Sequence, residues 1–337
     1  MRKMAVSIKD IAREAGVSHS TVSRALAGSS LVRPTTKERI CRLAEAMGYS
    51  RNTVARSLVR QRTETLGLVV STVADPYVAE VVRGIEEAAF DHGFGVLLCE
   101  SGNNREREIA AVKMLREKRV DGIVVSASTV GDFYMPLLDE LHIPIVLVNR
   151  EQGTEYAYSI ATDDLDGGRL AVEHILSFGH RRVGIITGPE HSQSSANRLQ
   201  ASRQTIEACD IPFDPRLIVQ GDGRIEGGYA GAEVLMSLDP APTAVFCYND
   251  LTAIGAIRAI KKRGLGVPQD VSVVGFDDIP FAEFIDPPLT TVRQHRYTMG
   301  RLATEMILQL LSGHSPEANI YLKGALVVRE SCGAPRR

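Results

Sequence analysis

Several things are missing from this chain of 337 residues. No stretch of about 18 consecutive apolar residues occurs, so no segment is suited to cross a bilayer as a helix. The opening stretch, Met1-Arg-Lys-Met-Ala-Val-Ser-Ile-Lys-Asp10, meets charge almost at once and has neither an apolar export core nor a small-residue cleavage site. A cytoplasmic location is the expectation. The five cysteines (Cys41, Cys99, Cys209, Cys247 and Cys332) are scattered, odd in number and never spaced as CxxC, which argues against a disulfide framework and against a zinc site. The motifs GxSxG, HExxH and GxxxxGK[ST] are absent. Gly221-Asp-Gly-Arg-Ile-Glu-Gly227 is one residue too long for a dinucleotide fingerprint. No cofactor or metal is implied, and an enzyme is not the expected reading.

What is present is a charge split. The net charge of −2 suggests no affinity for polyanions, but residues 1–62 carry thirteen basic side chains against four acidic ones. That segment is +9 and the remainder −11. Such asymmetry suggests one end made for polyanions and one that is not.

The basic end reads as three short helices. Ser7-Ile-Lys-Asp10 has the form of a capping box, Ile8, Ile11, Ala12 and Ala15 recur at helical spacing, and Gly16 is a stop. Ser18 can cap a second helix whose apolar positions are Val22, Ala25 and Leu26, with Gly28 ending it. Its other face carries His19, Ser20, Thr21, Ser23 and Arg24. A third helix is expected from Pro34, with a further capping box over Pro34-Thr-Thr-Lys-Glu38 and a stop at Gly48. Two short helices and a buttress make a helix-turn-helix unit. Small polar side chains would let the second helix approach base edges closely, and the forked donors of Arg24 suit guanine. By composition alone the same face could be an ordinary solvated one.

Beyond residue 65 the pattern alternates apolar runs (66–70, 95–98, 122–125, 143–148, then 183–186, 244–246 and 271–274) with helical stretches near 77–92, 104–118 and 131–141. Alternation of this kind predicts parallel sheets covered on both faces, here as two doubly wound lobes with ligands at strand carboxyl ends. Asp163, Asp164 and Asp166 form an acidic cluster before a helix, read as capping rather than a metal site. His174 and His180 flank a helix end and are read as structural.

In combination, Ile8-Lys-Asp-Ile-Ala-Arg-Glu-Ala-Gly-Val-Ser18, Thr21-Val-Ser-Arg24 and Asn52-Thr-Val-Ala-Arg-Ser-Leu58 resemble the head of the LacI/GalR family of bacterial transcriptional regulators. The resemblance continues through Asp75-Pro-Tyr77, Asn249-Asp250, Val273-Val-Gly-Phe-Asp-Asp278, Pro288-Leu-Thr-Thr-Val292 and Val328-Arg-Glu-Ser331. It implies a helix-turn-helix DNA-binding domain over 1–50, a hinge helix and linker over 51–65, and a two-lobed effector-binding and dimerisation domain over 66–337. The last is similar to type I periplasmic binding proteins. There the chain crosses between lobes three times, and the helix near 296–312 should return to the first lobe.

The resemblance further implies roles. His19, Ser20 and Arg24 match the discriminating base contacts, Thr21 and Ser23 match positions that hold phosphates, and Ser18 is a further candidate on the DNA-binding helix. Asn52 and Arg56 sit in a hinge too short to be a stable helix by itself, and Leu58 matches a leucine wedged into a minor-groove step. Arg198 and Asp277 match effector contacts, Asn249 a further one, and Asp75, Tyr77, Ser126 and Asn149 weaker ones. The expected partners are a pseudo-palindromic operator in double-stranded DNA, a small-molecule effector (a sugar or related metabolite) and a second copy of the chain. No membrane partner is expected. The chain stops soon after Val328-Arg-Glu-Ser331, without the family's tetramerising tail, so a homodimer is expected. Two departures stand out. Gln220-Gly-Asp-Gly-Arg224 lies where the family's sugar binders often place an aromatic platform, and the chain has no tryptophan. A stacked pyranose is thereby disfavoured, and Arg224 leaves an anionic effector open. The alternative function is a solute-binding receptor or an enzyme on the same two-lobed core.

Overall fold

The computed structural model describes residues 6–49, 62–126, 143–149, 158–190 and 192–336. They fall into two compact units, Met1–Thr63 and Glu64–Arg337.

The first unit is the three-helix head: α1 (Ile8–Ala15), α2 (His19–Leu26) and α3 (Pro34–Ala46). Ser7 caps α1 in a complete capping box with Asp10, and Gly16 ends it in the left-handed conformation at φ 62°. Ser18 caps α2 through the backbone N–H of Thr21. The expected second capping box is not there. Arg33 stands at the N-cap of α3 without a side-chain hydrogen bond, and Pro34, whose fixed φ suits the first turn, starts the helix instead. Ile11, Val22, Ala25, Ile40 and Ala44 close a small core.

The second unit holds two parallel sheets. The first is ordered β11-β5-β4-β3-β1-β2, from β1 (Thr65–Val70), β2 (Gly95–Glu100), β3 (Gly122–Ser126), β4 (Ile145–Val148), β5 (Ser159–Thr162) and β11 (Asn319–Leu322). Side chains alternate across it. Leu66, Leu68, Val70, Val124 and Val146 pack beneath α4 (Pro76–Asp91) and α10 (Arg296–Leu311). Val69, Ile123, Val125, Ile145 and Leu147 pack on α5 (Arg105–Glu117). The second sheet, β7-β6-β8-β9, uses β6 (Val183–Ile186), β7 (Ile218–Val219), β8 (Ala244–Cys247) and β9 (Ser272–Val274). One face carries α8 (Ile225–Leu235) and α9 (Asp250–Lys262). The other carries α6 (Asp164–Ser177) and α7 (Gln193–Ala208). β10 (Thr291–Arg293) pairs antiparallel with β12 (Ala325–Val327) beside this sheet.

The chain passes between lobes three times: from β5 to α6, from β10 to α10 and from β11 to β12. The helical stretch expected over 131–141 lies outside the described residues. Four strands escaped the sequence reading (β5, β10, β11 and β12), each of four residues or fewer and too short to show a period.

The return of α10 to the first lobe depends on two glycines. A Cβ on Gly84 of α4 would lie 2.1 Å from the carbonyl oxygen of Tyr297, and one on Gly300 of α10 would lie 2.2 Å from that of Val81. The two helices touch backbone to backbone, which no larger residue permits. Gly300→Val therefore forces the helices apart, and we expect a loss of at least the ~1–3 kcal/mol of an overpacked core. Urea denaturation measures it; an unchanged midpoint would show that the contact is not rigid.

Candidate functional site

Two surfaces carry the residues singled out by the sequence. On the head, α2 buries Val22 and Ala25 and turns Ser18, His19, Ser20, Ser23 and Arg24 to solvent, with Thr21 half-buried. The Ser18 hydroxyl bridges those of Ser20 and Thr21, 2.8 Å from each. Arg24 makes no ion pair among the described residues, whereas Arg39 donates to the Ala15 carbonyl at 2.9 Å and Arg42 lies 3.3 Å from Glu38. The outward face of α2 is thus a row of hydroxyls with an uncompensated guanidinium one turn further along. Asn52, Arg56 and Leu58 lie outside the described residues.

The second surface is where the two sheets of the large unit meet. Asp75 caps α4, accepting from the Tyr77 backbone N–H at 2.8 Å. The buried Tyr77 hydroxyl receives the amide of Asn149 at 2.5 Å. Ser126 ends β3 and Asn149 follows β4, adjacent strands in the sheet. The buried Ser126 Oγ, Asn149 Oδ1 and Arg296 Nη1 have no hydrogen-bond partner among the described residues. From the second lobe, Arg198 is 4% exposed and donates through Nε to Asp164 at 2.8 Å and through Nη1 to the Tyr248 carbonyl at 2.6 Å. Its guanidinium carbon lies 3.6 Å from the centre of the Phe276 ring. Asp277 is 5% exposed and accepts from Gln294 Nε2 at 2.5 Å. Asn149 and Asp277 adopt φ of 53° and 121°, values that L side chains disfavour and that gather at functional sites.

Other candidates have structural duties as well. Asn249 caps α9 through Thr252 and donates to the Gly223 carbonyl at 2.9 Å. Asp278 is held by Arg293 at 2.6 Å and Arg329 at 2.7 Å; burial opposes ionisation there, but these bonds keep its carboxyl below the ordinary range. The acidic cluster divides. Asp163 is the N-cap of α6, as a capping reading requires, but Asp164 is buried and pairs with Arg198. His180 is structural, its ring bonding Thr243, Ser272 and the Gly333 carbonyl.

The electrostatics favour a ligand that donates. Asp75, Asp164, Asp250 and Asp277 outnumber Arg198 and Arg296. Burial raises the Asp75 carboxyl, and it drives Asp277 well above the carboxylate range, with Arg198 opposing and Asp250 and Asp75 adding to the rise. Burial also pushes Asp250 up to about 7, against the bonds it accepts from Thr291 and the Ile279 N–H. Arg224 is exposed at the N-cap of α8 with no side-chain cap bond. The loop 220–224 offers no ring, but Tyr248 reaches toward it: a Cβ on Gly223 would lie 3.3 Å from that ring, and one on Gly188 2.6 Å.

This geometry coincides with similarity along the whole chain. Residues 7–52 match the model for bacterial regulatory proteins of the lacI family, and residues 172–332 match a periplasmic binding protein-like domain. The HTH-type transcriptional repressor CytR of Escherichia coli (strain K12) is 33% identical over 335 residues, covering 99% of this chain and 98% of its own. The chain belongs to the LacI family. The repressor PurR of Haemophilus influenzae (strain PittEE) is also 33% identical, over 96% of this chain and 98% of its own. Among solved structures, a lac repressor dimer bound to operator and the anti-inducer ONPF superposes with a TM-score of 0.90 at 29% identity, over 98% of this chain and 100% of that one. The regulator CelR with cellobiose gives a TM-score of 0.75 at 32% identity, over 97% of this chain and 99% of that one. The family's fold, a helix-turn-helix head with a type I periplasmic-binding-protein-like core, is the fold of this chain. Its function is transcriptional regulation through DNA binding under small-molecule control.

Sequence reading missed Thr162, Asp164, Tyr248, Gln294 and Arg296, all gathered in the same region. Only their approach in space marks them, because each lies at a strand end or beside a lobe crossing. Asp277→Asn tests what the buried carboxylate costs. A carboxyl raised in the folded state destabilises once ionised, so its cost is full above the folded pKa and disappears below the ordinary value of 3.8. The variant should melt higher than the parent at pH 8, with the gain shrinking toward pH 4. A constant difference across that range would contradict it.

Proposed function

We propose that α2 lies in the major groove of an operator half-site, with His19, Ser20 and Arg24 reading base edges and Ser18, Thr21 and Ser23 holding phosphates. The observation that carries this reading is the outward row of hydroxyls and exposed guanidinium on α2, above a buried Val22 and Ala25. The functional division we assign is a head at 1–50, a hinge and linker at 51–65 and a core at 66–337. In the hinge, Asn52 and Arg56 contact the backbone or groove and Leu58 enters a minor-groove step where the two hinges of a dimer meet. The protein acts in the cytoplasm as a homodimeric repressor on a pseudo-palindromic operator, and it is not an enzyme.

The effector binds between the lobes against Asp75, Tyr77, Ser126, Asn149, Arg198, Asn249 and Asp277. Carboxylates outnumber guanidiniums there, and Ser126 Oγ and Asn149 Oδ1 have no partner among the described residues. These features support a neutral ligand rich in hydroxyl or amino donors, a sugar or related metabolite, over an anionic one. Arg198 shapes the pocket more than it recognises, because Asp164 and the Tyr248 carbonyl already occupy it.

An operator selected from random duplexes, followed by fluorescence anisotropy, tests the reading. We expect selective binding, with a loss of ~1–3 kcal/mol at a single base pair for Arg24→Ala. Leu58→Ala should weaken operator binding more than binding to random duplex. Equal affinity for all sequences would overturn the assignment, and equal losses for Leu58→Ala would overturn the wedge.

A further inference from the structure

Five polar side chains at the lobe crossing form one connected chain of hydrogen bonds that neither lobe could make alone. Asn149 Nδ2 donates to the Tyr77 hydroxyl at 2.5 Å, and that hydroxyl donates to Gln294 Oε1 at 3.5 Å. Thr162 Oγ1 donates to the same oxygen at 2.5 Å. Gln294 Nε2 then donates to Asp277 Oδ1 at 2.5 Å. Asn149, Tyr77 and Thr162 belong to the first lobe and Asp277 to the second. Gln294 sits between β10 and α10, on one of the three crossings, and is 4% exposed.

The chemistry leaves this arrangement little freedom. The Tyr77 hydroxyl accepts from Asn149 and so has its own proton to donate, and Thr162 donates beside it, so the Gln294 amide oxygen faces these two and its NH₂ end faces Asp277 Oδ1. Thr162 ends β5, where another crossing begins, so the Thr162–Gln294 bond ties two crossings together. The two ends of the chain are Asn149 and Asp277. Both are at positive φ, and Asn149 Oδ1 has no partner among the described residues.

We propose that Gln294, braced by Thr162, is the positioning residue that converts occupancy of the cleft into a change of lobe angle. The proposal rests on the functional reading above and concerns how its cleft is regulated. A ligand that donates to Asp277 competes with the Gln294 amide, and one that donates to Asn149 Oδ1 fixes the other end. Either event changes the strength of the link across the crossing, so the ligand binds the two lobe arrangements with different affinity, as regulation requires. Gln294 and Thr162 act through Asp277 and Tyr77 rather than by touching the ligand.

The test uses the full chain and two fluorescent duplexes, the selected operator and a scrambled sequence. Gln294→Leu, Thr162→Val and the double variant are compared with the parent by anisotropy without added ligand, and thermal melting reports folding. Each single substitution should change operator affinity by at least about fivefold. Affinity for the scrambled duplex should stay within about twofold, because it depends on the charge of the head. The double variant should change no more than the larger single, since the second cut falls in a link already broken. Should Gln294→Leu fail to fold, Thr162→Val carries the test alone, with the same fivefold expectation. Singles that bind the operator like the parent, or effects that simply add, overturn the coupling role. A parent with no operator preference overturns the functional reading instead, so the two failures are distinguishable.

Discussion

The large unit depends on a constraint imposed by its crossings. A chain that passes three times between two lobes must carry backbone and polar side chains through a region with little access to water, and each polar atom left unpaired there is costly. The structure meets this with shared partners. Gln294 serves both lobes, Asp250 accepts from Thr291 and from the Ile279 N–H, and Arg198 and Asp164 neutralise one another between α7 and α6. Ser126 Oγ and Asn149 Oδ1, which have no partner among the described residues, lie at strand carboxyl ends, where a doubly wound sheet receives its ligand. Stability and recognition therefore compete for the same residues, and Asp277, ionised only against the effect of burial, is the clearest case.

Much of this was legible in the sequence because it is local. The capping box at Ser7, the stop at Gly16 and the apolar runs at 66–70 and 122–125 follow from rules that span a few residues, and α4, α5 and α10 fall within a residue or two of their expected ends. The third helix departs because a proline at its first position replaces the hydroxyl cap that spacing alone suggested. Asp164 was misjudged for a different reason: a carboxylate before a helix looks the same in sequence whether it caps or is buried against an arginine 34 residues away. Gln294 carries no motif at all. Its importance arises from a contact to Tyr77, 217 residues earlier in the chain.

The charge split has a structural counterpart. The basic head folds around its own small core, and its outward helix leaves Arg24 exposed and without an ion pair among the described residues. The acidic body spends many carboxylates on ion pairs and caps, yet retains an excess that long-range electrostatics would set against phosphate. Near-neutrality of the whole chain thus conceals two opposed surfaces, each suited to one partner.

The close backbone contact between α4 and α10 also governs the order of events during synthesis. The first lobe begins at β1, but it lacks α10 and an edge strand until residue 322 has been made. The second lobe lies within that interval and itself waits for β12. A ribosome therefore releases an early, self-sufficient head and holds back both lobes until the last few dozen residues emerge. During that time a nascent chain can already display its polyanion-seeking surface, while the part that should govern it does not yet exist.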